Sequence, residues 1–198
     1  MLAEASKSSS ILHPITSIWH RSKMNLADRC QRIELILSDV DGVMTDGGIR
    51  MLDDGRQIIT FHIRDGMGVR LWREAGKRFG IVTGRDLPAV RRRAEDLKFD
   101  VVRMGIDDKL PAVDAIATEL GVKREQICYI GDDLLDLASI AAVGLGVAVA
   151  DAPEEVRRAA KYTTSVRGGD GAVRELVEVI LKNTGRWDEA VQRYSATE

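Results

Sequence analysis

The chain has 198 residues, 44% of them apolar and 30% charged, with a formal net charge of -2. That length suits one domain with a core large enough to fold without staples. The charge excludes a general attraction to nucleic acid or to an anionic membrane, and no apolar run is long enough to span a bilayer.

The first 23 residues, through Lys23, are Ser-rich and carry Lys7, Arg21 and Lys23. They lack the apolar stretch and cleavage site of a signal peptide. Residues 1–28 read as a poorly ordered N-terminal extension, 29–185 as the folded domain and 186–198 as a C-terminal tail. His13 and His20, in the extension, show no ligand spacing. Cys30 and Cys128 make neither a metal-type pair nor a disulfide framework, and Cys128 lies in an apolar strand pattern. A reduced, buried thiol and a cytoplasmic location are expected.

From Ile33 onward short apolar runs alternate with helical periods. Leu35–Leu37 leads into Asp39. Asp54-Gly55, between Ile49–Met51 and Ile58–Phe61, reads as a hairpin turn. A helix follows over Gly66–Ala75, and Gly80–Val82 leads into Thr83. Helices are expected over Pro88–Leu97 and Pro111–Leu120, with proline tolerated near each start and Gly121 as a stop. Ile127–Ile130 leads into Gly131 and Asp132, a helix covers Leu134–Ala142, and Leu145–Val149 leads into Asp151. A last helix spans Ala172–Leu181.

The apolar runs lack polar alternation, as strands buried on both faces do. Strand and helix in alternation predict an α/β fold, a Rossmann-like doubly wound parallel sheet with right-handed crossovers. Ligands bind beyond the carboxyl ends of such strands. That gathers Asp39, Thr83, Asp132 and Asp151 at one rim. The hairpin and one helix use up the chain between the first strand and Ile81, so no lid domain fits there.

Asp39-Val40-Asp41-Gly42 sets two carboxylates and a glycine at a strand end. This segment resembles the first signature of the haloacid dehalogenase superfamily. Ile81-Val82-Thr83-Gly84-Arg85 resembles the second, Lys109 the third, and Gly131-Asp132-Asp133-Leu134-Leu135-Asp136 the fourth, in the right order. The resemblance implies that Asp39 attacks phosphorus to form an aspartyl-phosphate, and that Asp41 gives and then takes a proton. It implies that Thr83 and the Gly84 amide bind phosphoryl oxygens while Lys109 supplies a fixed positive charge. The cofactor would be Mg2+, an ion that prefers oxygen ligands, held by Asp39, the Asp41 main-chain carbonyl and Asp132. Asp133 would stand behind the ligands, and Asp136 on the helix surface or as a cap.

Phe61-His62-Ile63-Arg64-Asp65-Gly66-Met67-Gly68-Val69-Arg70 looks like the F-N-[VI]-R-D-G-x-G-[IV]-R segment of 3-deoxy-D-manno-octulosonate 8-phosphate phosphatases. Val147–Ala152 and Arg167–Glu175 match two further segments of that family, and the similarity runs from about Leu35 to Gly185. It implies a phosphatase of a small phosphorylated sugar acid, serving lipopolysaccharide biosynthesis. It also implies a lidless homotetramer in which neighbouring subunits close the active site, with the hairpin helping assembly and Gly168–Gly171 reaching toward an active site. By pattern alone those glycines are a flexible connection. The implied substrate positions are Asp41, His62, Ile63, Arg64, Asp65, Gly66, Arg70, Gly84, Arg85, Arg93 and Lys109. An acid bearing a phosphate needs cations, and arginine offers paired donors, though a run such as Arg91-Arg92-Arg93 is usually a solvated face.

Three departures bear on the substrate. His62 stands for asparagine, Met104-Gly105 for Gln-Gly, and Asp86 for a neutral or basic residue. They keep open the same chemistry on a nine-carbon analogue or another sugar phosphate. A non-catalytic oligomerisation module is the reading from a different class, and the intact Asp39, Asp41, Thr83, Lys109 and Asp132 argue against it. The missing lid argues against a phosphomutase.

Overall fold

The computed structural model describes residues 24–195, so the expected poorly ordered stretch up to Lys23, with His13 and His20, lies outside the described residues. Helix α1 (Leu26–Cys30) starts just ahead of the expected domain boundary, because the Asn25 side chain accepts from the Asp28 amide at 2.8 Å and caps it. Strand β1 (Leu35–Ser38) follows, buried along its length. It lies at the centre of the sheet, between β4 (Arg78–Val82) and β6 (Ile127–Gly131), parallel to both. The order is β5-β4-β1-β6-β7-β8, with β5 at Val101–Arg103, β7 at Leu145–Ala148 and β8 at Tyr162–Thr163. Every neighbouring pair is parallel, so the carboxyl ends of all six strands share one rim.

Between β1 and β4 lie the hairpin, β2 (Arg50–Met51) and β3 (Gln57–Ile58), and helix α2 (Ile63–Glu74). The hairpin stands apart from the main sheet and exposes Ile49, Met51, Leu52 and Ile58. Helices α3 (Pro88–Leu97), α4 (Lys109–Leu120), α5 (Leu137–Ala142), α6 (Glu154–Ala159) and α7 (Ala172–Asn183) complete the domain. Helix α2 begins at Ile63 rather than Gly66, because His62 Nδ1 accepts from the Arg64 amide and caps it. Helix α5 begins later than expected because Leu134–Asp136 forms a tight single turn first. The expected tail is in part a helix, α8 (Trp187–Ser195), whose Trp187 and Ala190 pack on the core. Among the described residues no helix is long and apolar enough to cross a membrane.

Helices α2 and α7 meet closely over Gly68, where a Cβ would lie 2.9 Å from the Arg174 Cα. Alanine normally improves a helix interior over glycine by up to about 1 kcal/mol. Here a backbone atom blocks the methyl, and overpacking of this kind costs about 1–3 kcal/mol. The contact outweighs the propensity, so Gly68→Ala is expected to lower the thermal midpoint. A midpoint at or above wild type in a melting curve would show that the two helices part without cost.

Candidate active site

Asp39 follows β1 directly, and its amide donates to the Ile130 carbonyl at 3.0 Å, continuing the β1–β6 ladder. The chain then turns sharply. Asp39 Oδ1 accepts from the Val40 amide at 2.7 Å, and Thr45 Oγ1 accepts from the amides of Gly42 and Gly47. Gly42 has φ +85°, and a Cβ on it would fall 2.0 Å from Asp132 Oδ2. Only glycine lets the β1 loop approach the β6 loop so closely.

Lys109, the first residue of α4, is 3% exposed. Its Nζ lies 2.8 Å from Asp39 Oδ2 and 2.7 Å from Asp136 Oδ1. Burial alone would lower its pKa, but the two carboxylate charges outweigh that and raise it. Asp39 moves up as well: burial is the main cause, and Asp136 adds to it against the pull of Lys109. Asp132 rises for the same reasons, burial first and then the charges of Asp39 and Asp136. The site is short of positive charge.

Asp136, expected on the helix surface or as a cap, is fully buried and holds the site together. Its Oδ1 accepts from Lys109 Nζ and from the Tyr129 hydroxyl, each at 2.7 Å. Its Oδ2 accepts from the Asp132 and Asp133 amides at 3.0 and 3.3 Å. Carboxylate oxygens of Asp39, Asp132 and Asp136 lie within 4.8 Å of one another. Four donors already occupy Asp136, which leaves Asp39 and Asp132 as the open carboxylates for a cation. Asp133 turns away and caps the Leu134–Asp136 turn.

Thr83 follows β4 directly and is 1% exposed, with Oγ1 accepting from the Arg85 amide at 3.3 Å. Gly84 follows it. Arg85, an expected substrate position, donates to Asp41 Oδ1 at 3.0 Å and to Gln57 Oε1 on the hairpin. It ties Asp41 to β3. Asp151, expected at the same rim, is exposed and accepts from the Gly168 amide at 3.1 Å, while the Gly169 amide donates to the Val43 carbonyl at 2.9 Å. The glycine-rich loop therefore packs on the β1 loop and is not a slack connection.

The expected substrate positions fall into two groups. Asp41, Gly84, Arg85 and Lys109 belong to the rim around Asp39. Ile63, Gly66, Arg70 and Arg93 line a groove of about 690 Å3 between α2 and α3, whose lining holds none of the rim residues. There Arg93 stacks over the Phe61 ring at 5.6 Å. Asp65 faces α7, His62 caps α2, and Arg64 is exposed. Of the departures, Asp86 pairs with Arg91 at 2.9 Å and Met104 packs against the core. Sequence reasoning missed Tyr129, Thr45 and Gln57. Tyr129 alone carried a signal, a hydroxyl inside an otherwise apolar run.

The chain is similar to several known proteins. Residues 99–176 match a family model described as haloacid dehalogenase-like hydrolase. The chain is 38% identical over 161 residues to the 3-deoxy-D-manno-octulosonate 8-phosphate phosphatase of Haemophilus influenzae, covering 81% of this chain and 89% of that protein. A crystal structure of such a phosphatase from Moraxella catarrhalis, in complex with magnesium ion, phosphate ion and the octulosonate, superposes with a TM-score of 0.84. It is 35% identical and covers 85% of this chain and 97% of its own. The cobalt-bound Haemophilus influenzae structure gives 0.77 at 39% identity, over 79% and 92% of the two chains.

Asp65 is buried, with Oδ1 accepting from the Arg174 amide at 2.9 Å and no partner on Oδ2. Burial pushes its carboxyl up to about 6, against that amide and the nearby His62 and Arg93. The protonated form is thus favoured in the folded state. This contribution to stability is complete below about pH 4, the unfolded pKa, and is lost as pH rises through about 6. The Asp65→Asn protein lacks the loss, so its stability should climb relative to wild type between pH 4 and 7, by up to about 3 kcal/mol, and its thermal midpoint with it. Melting curves with a constant difference across that range would refute the assignment.

Proposed function

The chain belongs to the 3-deoxy-D-manno-octulosonate 8-phosphate phosphatases, haloacid dehalogenase-like hydrolases, and we propose that it releases inorganic phosphate from that eight-carbon sugar acid through Asp39. The observation that carries the mechanism is the Lys109 ammonium bridging Asp39 and Asp136, with Asp132 alongside.

Asp39 uses a carboxylate oxygen to attack phosphorus, forming an aspartyl-phosphate as the bond from phosphorus to the sugar oxygen breaks. The leaving alkoxide takes the proton carried by Asp41. Water then attacks the phosphorus of the aspartyl-phosphate and gives its proton to Asp41, which frees phosphate and restores Asp39. Arg85 holds Asp41 in place for both transfers. Lys109 keeps the Asp39 carboxylate aimed and neutralises charge on the phosphoryl oxygens, with the Thr83 hydroxyl and Gly84 amide as further donors. The cofactor is Mg2+, and Asp39, Asp132 and the Asp41 carbonyl form the proposed ligand set of hard oxygens. When bound, it adds positive charge to the phosphoryl group and offsets the crowding that raises Asp39 and Asp132.

His62 caps α2 through a ring nitrogen, the service an asparagine side chain gives at such a position. The departure therefore does not require a nine-carbon substrate. The assembled rim likewise speaks against a non-catalytic module. Water exclusion has to come from outside the subunit, since the hairpin and α2 fill the space where a lid would be inserted. The proposed cover is another copy. Ile49 and Met51 are 66% and 60% exposed, Ile63 is 79%, and Leu134 and Leu135 beside Asp132 are 58% and 63%. Such an apolar rim fits a homotetramer whose neighbours shut the site and bring the Arg70 and Arg93 groove to the sugar-acid carboxylate. A cytoplasmic location is proposed with it, in keeping with two buried free thiols.

Phosphate release from 3-deoxy-D-manno-octulosonate 8-phosphate, beside a nine-carbon analogue and common sugar phosphates, tests the substrate. Preference for the first compound is expected, and preference for another moves the specificity while leaving the chemistry. Asp39→Asn should lower turnover by about 1,000-fold or more with no loss of thermal stability. Turnover near wild type would sink the assigned nucleophile. Added magnesium should raise the thermal midpoint of the wild type, and Asp132→Asn should abolish that rise. An equal rise in both proteins would remove Asp132 from the ligand set.

A further inference from the structure

Arg70 lies on the outer side of α2, with its side chain at the α2–α3 groove. Its Nε donates to Glu74 Oε1 at 2.7 Å. Among the described residues its two terminal nitrogens make no hydrogen bond. The guanidinium therefore keeps a two-pronged edge for a ligand, the geometry that pairs with a carboxylate. The Arg70 bond also keeps Glu74 below its usual carboxylate range, so the partner stays charged near neutrality.

The other side of this pair is built from the C-terminal helix. The Tyr194 hydroxyl lies 3.0 Å from both oxygens of Glu74. The Tyr194 ring stands under the Arg70 guanidinium, 5.7 Å from its carbon. Arg193 donates to the Glu74 carbonyl at 3.2 Å and is itself tied to Glu189. At its start, α8 is pinned by Trp187, which takes Arg174 and Lys182 over its ring at 5.5 and 5.0 Å. Helix α8 thus reaches α2 through contacts concentrated on Arg70 and Glu74.

We propose that α8 is a positioning element for substrate recognition: Tyr194, acting through Glu74 and through its own ring, fixes Arg70 so that its free edge meets the sugar-acid carboxylate. The inference rests on Arg70 as a substrate contact and adds a residue outside the motifs that define the reaction. A long arginine side chain left free on a helix surface loses rotamer entropy when it binds. One already held by a carboxylate and an aromatic face loses less, and the gain appears as affinity. Tyr194 touches neither the reacting atoms nor the substrate, so its effect falls on KM.

The test is a kinetic double-mutant cycle in the full-length enzyme, with Tyr194→Phe, Arg70→Ala and both together. Two substrates are compared: 3-deoxy-D-manno-octulosonate 8-phosphate and p-nitrophenyl phosphate, which has no carboxylate. Tyr194→Phe keeps the ring and removes the hydroxyl. It should raise KM for the sugar acid phosphate by about two- to fivefold, the range of exposed charged contacts, with kcat unchanged. KM for p-nitrophenyl phosphate should not move. Arg70→Ala should raise KM for the first substrate further, and the double variant should match Arg70→Ala alone. A wild-type KM in Tyr194→Phe, a parallel rise on both substrates, or additive effects in the double variant would each overturn the proposal. A wild-type KM in Arg70→Ala would overturn it too, while the phosphatase assignment stands on turnover. A wild type inert toward the octulosonate phosphate would overturn that assignment instead, and the cycle would then be read on the acid-bearing phosphomonoester that the enzyme prefers.

Discussion

One ammonium group organises the catalytic rim. Lys109 Nζ reaches Asp39 on the β1 loop and Asp136 on the turn after β6, from its own place at the head of α4. Three segments far apart in sequence are thereby fixed to a single atom. A buried lysine without partners would shed its proton, and a buried carboxylate without partners would take one up. Here each keeps the other charged, and the desolvation cost is offset because Asp136 is saturated by four donors. Removing Lys109 would leave two buried carboxylates uncompensated, whereas without the Asp39 charge the Lys109–Asp136 pair still stands. The contacts that set the proposed nucleophile beside a cation are therefore also structural contacts of the sheet.

The fold explains why such a centre forms at this spot. Parallel strands put all their carboxyl ends on one rim, and β1 and β6 are neighbours in the middle of the sheet. Asp39 and Asp132 leave adjacent strands side by side. The close approach of their loops depends on Gly42, and the glycine-rich loop before α7 braces the β1 loop from outside. Arg85 extends the brace outward by linking Asp41 to the hairpin. The hairpin is thus tied to the chemistry by one guanidinium while presenting apolar side chains to its surroundings. A copy packing on those side chains would press on Asp41 through Arg85.

The central strands, the order of the main elements and the residues around Asp39 were legible in the sequence because they combine strong local signals. Runs such as Ile127–Ile130 are buried on both faces and cannot alternate, and each ends in a polar residue. Strands β5 and β8 lie at the sheet edges, where burial is partial and a run of two or three residues carries no period. Helix α8 has no fully buried residue; Trp187 and Ala190 pack on the core, and cation–π contacts and the Glu74 network hold the rest. Trp187, Ala190, Val191 and Tyr194 do recur at helical spacing, a signal too short to outweigh the polar residues between them. The role of Asp136 was hidden for a different reason. It closes a tight turn before the helix, and its Lys109 and Tyr129 partners come from other elements. Arg85 and Asp151 sit next to the rim in sequence, yet Arg85 finds its partners on the β1 loop and the hairpin, and Asp151 finds one on the loop before α7. Pairings of that kind are decided by tertiary approach.

Charge balance gives the last constraint on how the site works. Asp39, Asp41, Asp132 and Asp136 supply four carboxylates, and Lys109 and Arg85 answer with two cations. Fully ionised, the rim carries two surplus negative charges, which add to burial, the larger cause, in driving Asp39 and Asp132 upward. A phosphate monoester is itself dianionic near neutrality, so the bare rim repels the group it must receive. A divalent cation removes that surplus, and the Asp39 and Asp132 oxygens are the ones without enough partners to do so themselves. A cation held there would let a dianionic phosphoryl group come up to Asp39, whose carboxylate Lys109 holds at 2.8 Å.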